Sequence, residues 1–97
     1  MYANDLTPAW VASPGELIHD ELEARGWTQK YLAERMNRPV QAISAIINGK
    51  KRVTAETAMQ LSETFGTSAE FWVRSQGDYD LYLLRHNRVG ATRKAIA

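Results

Sequence analysis

From Ser13 to Ser68 no long stretch of this chain lacks a residue that starts a helix or one that ends it, and that punctuation constrains the fold more than any other feature. "SPGE" (13–16) offers Ser13 as N-cap, Pro14 at the first helical position and Glu16 to close a capping box. Leu17, Ile18 and Leu22 follow at helical spacing, and Gly26 ends the segment. Thr28 caps a second segment, "TQKYLAERM", with Trp27 and Leu32 in the positions of a hydrophobic staple. Pro39 then forbids a simple continuation, because it biases Arg38 out of the helical region and donates no N–H of its own. It can, however, open a third helix, which runs to about Ile47 and ends on the left-handed cap of "NG" (48–49). Thr54 caps a fourth helix with Ala58, Leu61, Ser62 and Phe65 inside and Gly66 at its end. Thr67 or Ser68 caps a fifth, whose expected buried face is Phe71, Trp72 and Tyr79.

No strand pattern or repeat competes, so the expected architecture is an all-α, five-helix domain over 13–85. An N-terminal arm (1–12) precedes it and a flexible basic tail (86–97) follows. Trp10, in the arm, reads as a packing anchor in preference to a partner contact. The joint between the second and third helices has the length of a helix-turn-helix. At 97 residues the chain makes one domain with a small core, so a second protomer would help to stabilise it. The absence of cysteine excludes a disulfide framework and a thiolate site. No apolar run is long enough to span a membrane, and the N-terminus lacks the basic start and apolar stretch of a secretory signal. The expected location is the cytoplasm.

The net charge of +1 conceals a blocked arrangement. Residues 1–27 carry one Arg against five acids, 28–53 six Lys/Arg against Glu34, 54–82 Arg74 against five acids, and 83–97 four bases and no acid. The basic middle block surrounds "NRPVQAISAIINGKK" and marks a local anion site. On a helical wheel Val40, Ile43, Ile46 and Ile47 share one side of that segment, and Gln41, Ser44, Ala45 and Asn48 the other. The polar side has the chemistry of a base reader. Gln41 can pair with adenine N6 and N7, Ser44 can donate or accept, and Ala45 and Val40 can touch a thymine methyl. Arg38 before the helix and Lys50, Lys51 and Arg52 after it could neutralise phosphates. Gln29, beside Thr28 at the start of the second helix, could give an N–H to a phosphate. Singly, each of these is an ordinary surface residue. Their order around two adjoining short helices favours DNA contact.

With those residues in hand, "GWTQKYLAERM" and "RPVQAISAIINGK" resemble the helix-turn-helix of the Xre/phage-repressor superfamily. More narrowly, "SPGELIHDELEARGWTQ", "INGKKRVTAETAMQLSETFGTSAEFW" and "YDL" resemble the HigA-type antitoxins, which bind a toxin and repress their own operon. The resemblance implies a five-helix repressor-like domain, usually dimeric on a palindromic operator, and a ribonuclease toxin as partner. It places base reading on Val40, Gln41, Ser44 and Ala45, and backbone contact on Gln29, Asn48 and the turn that follows; Thr28, next to Gln29, is taken as a further backbone contact. Asn37 stands where many members have Gly, and Pro39 where many have Ser or Thr. Asn tolerates the left-handed conformation and Pro can start a helix, so the turn is preserved.

Other chemistry is weakly represented. There is no phosphate-binding glycine loop and no nucleophile motif, so no enzyme, cofactor or metal site is expected. His19, Asp20 and Glu21 are expected on different helix faces, and His86, Asp78 and Asp80 in solvent. The fifth helix carries more apolar residues than one narrow stripe can bury. Phe71, Trp72, Tyr79, Tyr82 and Leu83 are therefore expected to form a homodimer contact, a toxin contact, or both. Three functions stay open: an autoregulating antitoxin, a stand-alone repressor without a toxin, and an interaction module with vestigial DNA binding.

Overall fold

The structure is a computed structural model that describes the backbone of residues 11–96 and the side chains of residues 11–86. Trp10 and the rest of the arm before Val11 lie outside the described residues. Five helices follow in order: α1 (Pro14–Arg25), α2 (Gln29–Arg35), α3 (Val40–Ile47), α4 (Ala55–Phe65) and α5 (Ala69–Ile96). No strand occurs among the described residues.

The caps read from the sequence form. Ser13 and Glu16 close the capping box, with the Ser13 hydroxyl accepting from the Glu16 N–H at 3.1 Å and the Glu16 carboxylate from the Ser13 N–H at 2.8 Å. Thr28 accepts from the Tyr31 N–H at 3.0 Å and Thr54 from the Thr57 N–H at 3.2 Å. At the start of α5 the two candidate caps divide the work. Ser68 accepts from the Phe71 N–H, while Thr67 accepts from the Trp72 indole N–H at 2.7 Å. Pro39 falls one position earlier than expected, as N-cap of α3 with extended backbone, so Val40 is the first helical residue.

Two left-handed residues bracket α3. Asn37 has φ 55°, and beside it the Arg38 N–H reaches back to the Ala33 carbonyl at 2.9 Å, which closes α2 and reverses the chain. Gly49, φ 78°, follows Asn48 and lets the main chain fold back so that the Lys50 and Lys51 N–H groups both reach the Ala45 carbonyl. This is the geometry that glycine and asparagine tolerate best.

The core joins all five helices: Ile18 and Leu22 from α1, Leu32 and Ala33 from α2, Ile43 and Ile46 from α3, Ala58, Leu61 and Phe65 from α4, and Trp72 from α5. The α4 face expected from the sequence is therefore the buried one, with Ser62 half-buried at its edge. Trp27 packs on this core edge-to-face with Tyr31 and stacked on Phe65. Arg25 covers the Trp27 and Phe65 rings and donates to the Phe65 carbonyl at 2.8 Å, which closes the end of α4. The expected buried face of α5 needs correction. Trp72 is buried and Tyr79 half-buried, but Phe71 is 45% exposed, because it stands a full helical step away from Trp72. Nor does α5 stop where the sequence reads a basic tail. Its backbone stays helical to Ile96 across a segment rich in the good helix formers Ala, Arg and Lys.

Candidate nucleic-acid interface

The outward side of α3 forms a shallow open groove lined by Gln29, Val40, Gln41, Ser44, Ala45, Asn48 and Lys50. All four expected base readers and three of the expected backbone contacts thus meet on one surface. Val40 is 38% exposed, so it belongs to this face although the wheel also placed it near the inward residues. Gln41 and Asn48 are exposed, and Ser44 and Ala45 are half-buried in the floor. The Asn48 amide donates to the Ser44 hydroxyl at 3.2 Å, which orients that hydroxyl and leaves its hydrogen available to an acceptor. Gln41 and Lys50 make no bond with another described side chain and are free to meet a ligand. Small side chains in the floor let the helix backbone approach closely, and the two amides with Lys50 supply polarity at the rim.

The other expected backbone contacts separate. Arg38 is half-buried and turned to α4, donating to the Gln60 side chain at 2.6 Å and lying 3.9 Å from Glu56. It ties the helix-turn-helix to α4. Thr28 is exposed, with its hydroxyl oxygen already capping α2. Lys51 and Arg52 lie round the turn from the groove, in a cleft shared with Pro14, Gly15, Gln76, Tyr79, Asp80 and Leu83. There the Arg52 guanidinium donates to the Asp80 carboxylate, so Asp80, expected in solvent, is half-buried and paired instead. That hydrogen bond holds the Asp80 carboxyl below its ordinary range and raises Arg52.

Two features hold the C-terminal end of α3 in place, and the sequence reading found neither. Gly15, in the first turn of α1, packs so close to that end that a Cβ there would stand 2.3 Å from the Ile47 carbonyl oxygen and 2.6 Å from that of Ile46. A glycine just inside a capped helix was its only sequence signal. On the other side, the buried Gln76 of α5 accepts from the Val53 N–H at 2.7 Å and donates to Asp80 at 2.9 Å. Those partners lie 23 and 28 residues apart along the chain for Val53–Gln76 and Arg52–Asp80, beyond any local pattern.

The expected partner residues also scatter. Trp72 is 0% exposed and serves the core, where its ring meets Phe65 and Phe71. Phe71 lines a groove with Val11, Leu17 and Arg74. Tyr79 and Leu83 face the cleft beside the basic turn, and Tyr82 stacks between Tyr79 and His86. The apolar stripe left open is instead Val73, Leu81 and Leu84, 49%, 48% and 55% exposed, on the side of α5 away from Trp72. Helical spacing puts these three together, a pattern visible in the sequence but outweighed there by the aromatics. On α1, the expectation that His19, Asp20 and Glu21 point apart is corrected for Asp20 but stands for Glu21. His19 Nδ1 lies 4.0 Å from Asp20 and 3.9 Å from Glu23, while Glu21 pairs with Arg25. All of this first group is exposed, as expected of solvated surface charge.

Comparison with known proteins agrees with this geometry. The family model described as helix-turn-helix, HTH_3, matches residues 18–72, and the chain belongs to that family. Its relatives include HigA-type antitoxins. The chain is 39% identical to antitoxin HigA-1 of Vibrio cholerae over 75 residues, 76% of this chain and 70% of the relative. A HigA-family addiction module antidote protein from Coxiella burnetii superposes with a TM-score of 0.77 at 32% identity, covering 86% of this chain and 91% of that one. The Pseudomonas aeruginosa antitoxin HigA, solved with the higBA promoter, has a TM-score of 0.73 at 27% identity over 90% of this chain and 91% of that one. Other relatives are named HTH-type transcriptional regulators, and with the antitoxins they accord with the expectation of a protein that is not an enzyme.

Proposed function

We propose that this chain is a sequence-specific DNA-binding repressor and the antitoxin of a toxin–antitoxin pair, acting in the cytoplasm as a two-fold dimer. The observation that carries the reading is the single groove on α3. It gathers Gln29, Val40, Gln41, Ser44, Ala45, Asn48 and Lys50 on a surface that the rest of the domain leaves open. A helix of this shape, with a long amide, a hydroxyl and methyls outward, fits a major groove that presents donors, acceptors and thymine methyls. Gln41 and Ser44 supply discrimination, while Lys50, Asn48 and Gln29 meet the phosphates on either side of the groove.

The dimer sets two α3 helices into successive major grooves of a palindromic operator, about 34 Å apart. The stripe of Val73, Leu81 and Leu84 is the apolar face best suited to bury a second copy or the toxin. No helix of the described residues is long and apolar enough to cross a membrane. The relatives named antitoxin HigA support the antitoxin reading, and the one solved with the higBA promoter supports the DNA-binding half.

An electrophoretic shift assay on the DNA upstream of this gene tests the regulatory half, with retarded bands expected at nanomolar to micromolar protein. Failure to shift either that DNA or any duplex selected from a random pool would falsify it. The toxin half is tested by co-expressing the neighbouring reading frame, with restored growth and a stable complex as the expected result. If growth stays arrested and no complex forms, the protein is a stand-alone repressor.

A further inference from the structure

We propose that Gln76 and Asp80 of α5 are positioning residues for DNA binding, and that Arg52 is a brace in the basic turn and not a phosphate contact. The inference rests on the regulatory reading above and refines it residue by residue. Lys50, Lys51 and Arg52 read as one cationic run in the sequence, yet the turn sends them to two sides. Lys50 lines the α3 groove, whereas Lys51 and Arg52 line the cleft toward α1 and α5. Gly49 makes this division possible, because its left-handed backbone reverses the chain directly after α3.

The run is held by a relay of side chains from one face of α5. Gln76, 7% exposed, uses both ends of its amide: its oxygen accepts from the Val53 N–H at 2.7 Å, and its nitrogen donates to Asp80 Oδ1 at 2.9 Å. The other Asp80 oxygen, Oδ2, accepts from Arg52 Nη2. Main chain and side chain of two successive turn residues are therefore fastened to two residues one helical turn apart. Val53 is itself buried in the core and anchors the end of the turn. With the far end secured in this way and the near end clamped by Gly15 against α3, the position of Lys50 is set before DNA arrives. A pre-ordered contact loses less entropy on binding than a loose one.

This assignment makes a prediction whose sign differs from simple electrostatics. Removing an acid near DNA ordinarily strengthens binding, because it removes repulsion from phosphate. Here Asp80→Asn should weaken it. The experiment uses the full-length chain and a duplex that the wild-type protein selects from a random-sequence pool, with affinity read by fluorescence anisotropy between about 50 and 200 mM KCl. Asp80→Asn and Arg52→Gln should each weaken binding by about three- to fivefold, in keeping with a partly exposed charge pair, and the double variant no further than either alone. Neither should change the salt slope, whereas Lys50→Gln should lower it by about 0.9. Asp78→Asn removes the same charge from an exposed position outside the relay and should leave affinity unchanged or slightly higher. Amide exchange at Val53 supplies an independent readout: Gln76→Met should speed it, and Asp78→Asn should not.

If Arg52→Gln lowers the salt slope as Lys50→Gln does, or Asp80→Asn binds more tightly than wild type, Arg52 is a phosphate contact masked by Asp80 and the assignment is overturned. A wild-type chain that selects no duplex overturns the regulatory reading, and this role with it. Val53 exchange then still reports whether the relay orders the turn.

Discussion

α3 and α5 both expose apolar side chains, and they do so in opposite ways. On α3 the exposed Val40 sits among Gln41, Ser44, Asn48 and Lys50, so methyl groups alternate with hydrogen-bonding groups across a shallow concavity. On α5 the exposed residues Val73, Leu81 and Leu84 share one side of the helix. The first surface matches a partner that is itself a mosaic of donors, acceptors and methyls, as a DNA groove is. The second matches a partner whose own face is apolar, as a protein helix is. An exposed apolar residue therefore carries little information until its neighbours are known.

The contrast can be broken most severely at the inner face of α5. Trp72→Ala removes a ring buried against Phe65 and Phe71 together with an indole bond to Thr67, and should cost about 3–5 kcal/mol of stability in urea unfolding. A loss below about 1 kcal/mol would mean that α5 contributes little to the core. Less drastic is Leu81→Glu on the outer face. It should leave the melting temperature of the monomer nearly unchanged and weaken self-association by about 2 kcal/mol, as a central interface residue does. Sedimentation equilibrium showing an unaltered dimer would move the interface elsewhere.

On α3 the expected effects are comparable or smaller and concern sequence discrimination. Gln41→Ala should cost roughly 1–3 kcal/mol on the selected duplex and less on random DNA. Equal losses on both would remove Gln41 from base reading. The smallest effect is acid sensitivity at the junction of the two regions. Asp80 has a folded-state pKa below its ordinary value of 3.8, chiefly through the hydrogen bond from Arg52. Its contribution to stability is therefore complete above that ordinary value, and is lost as pH falls from there through the lower folded value. Thermal melts from pH 5 to pH 2.5 should show a shallower decline for Asp80→Asn than for wild type. Parallel curves would mean that the pair does not stabilise the fold.

How much of this was legible before folding differs sharply between the two helices. The α3 face was read from a wheel because its chemistry is local: Gln41, Ser44, Ala45 and Asn48 lie within two turns, and the Ser44–Asn48 bond spans four residues. The caps were equally legible, since Ser13–Glu16, Thr28–Tyr31 and Thr54–Thr57 each close within three residues. The bonds of Arg38 were not legible, because its partners Gln60 and Glu56 come from α4, where no pattern around Arg38 could indicate them. Among the α5 aromatics, size suggested an interface, while Trp72 was already committed to the core.

Sequence alone determined the number of helices, the caps that bound the first four, and which side of α3 is polar. Caps, left-handed turn residues and helical periodicity act over a few residues, and the chain carries them whatever surrounds it. Only the tertiary structure decided which cation of "KKR" is paired, which apolar face of α5 stays open, and why position 15 must be glycine. Each of those depends on a neighbour brought from another helix, and a through-space contact of that kind leaves no trace in the spacing of the residues that make it.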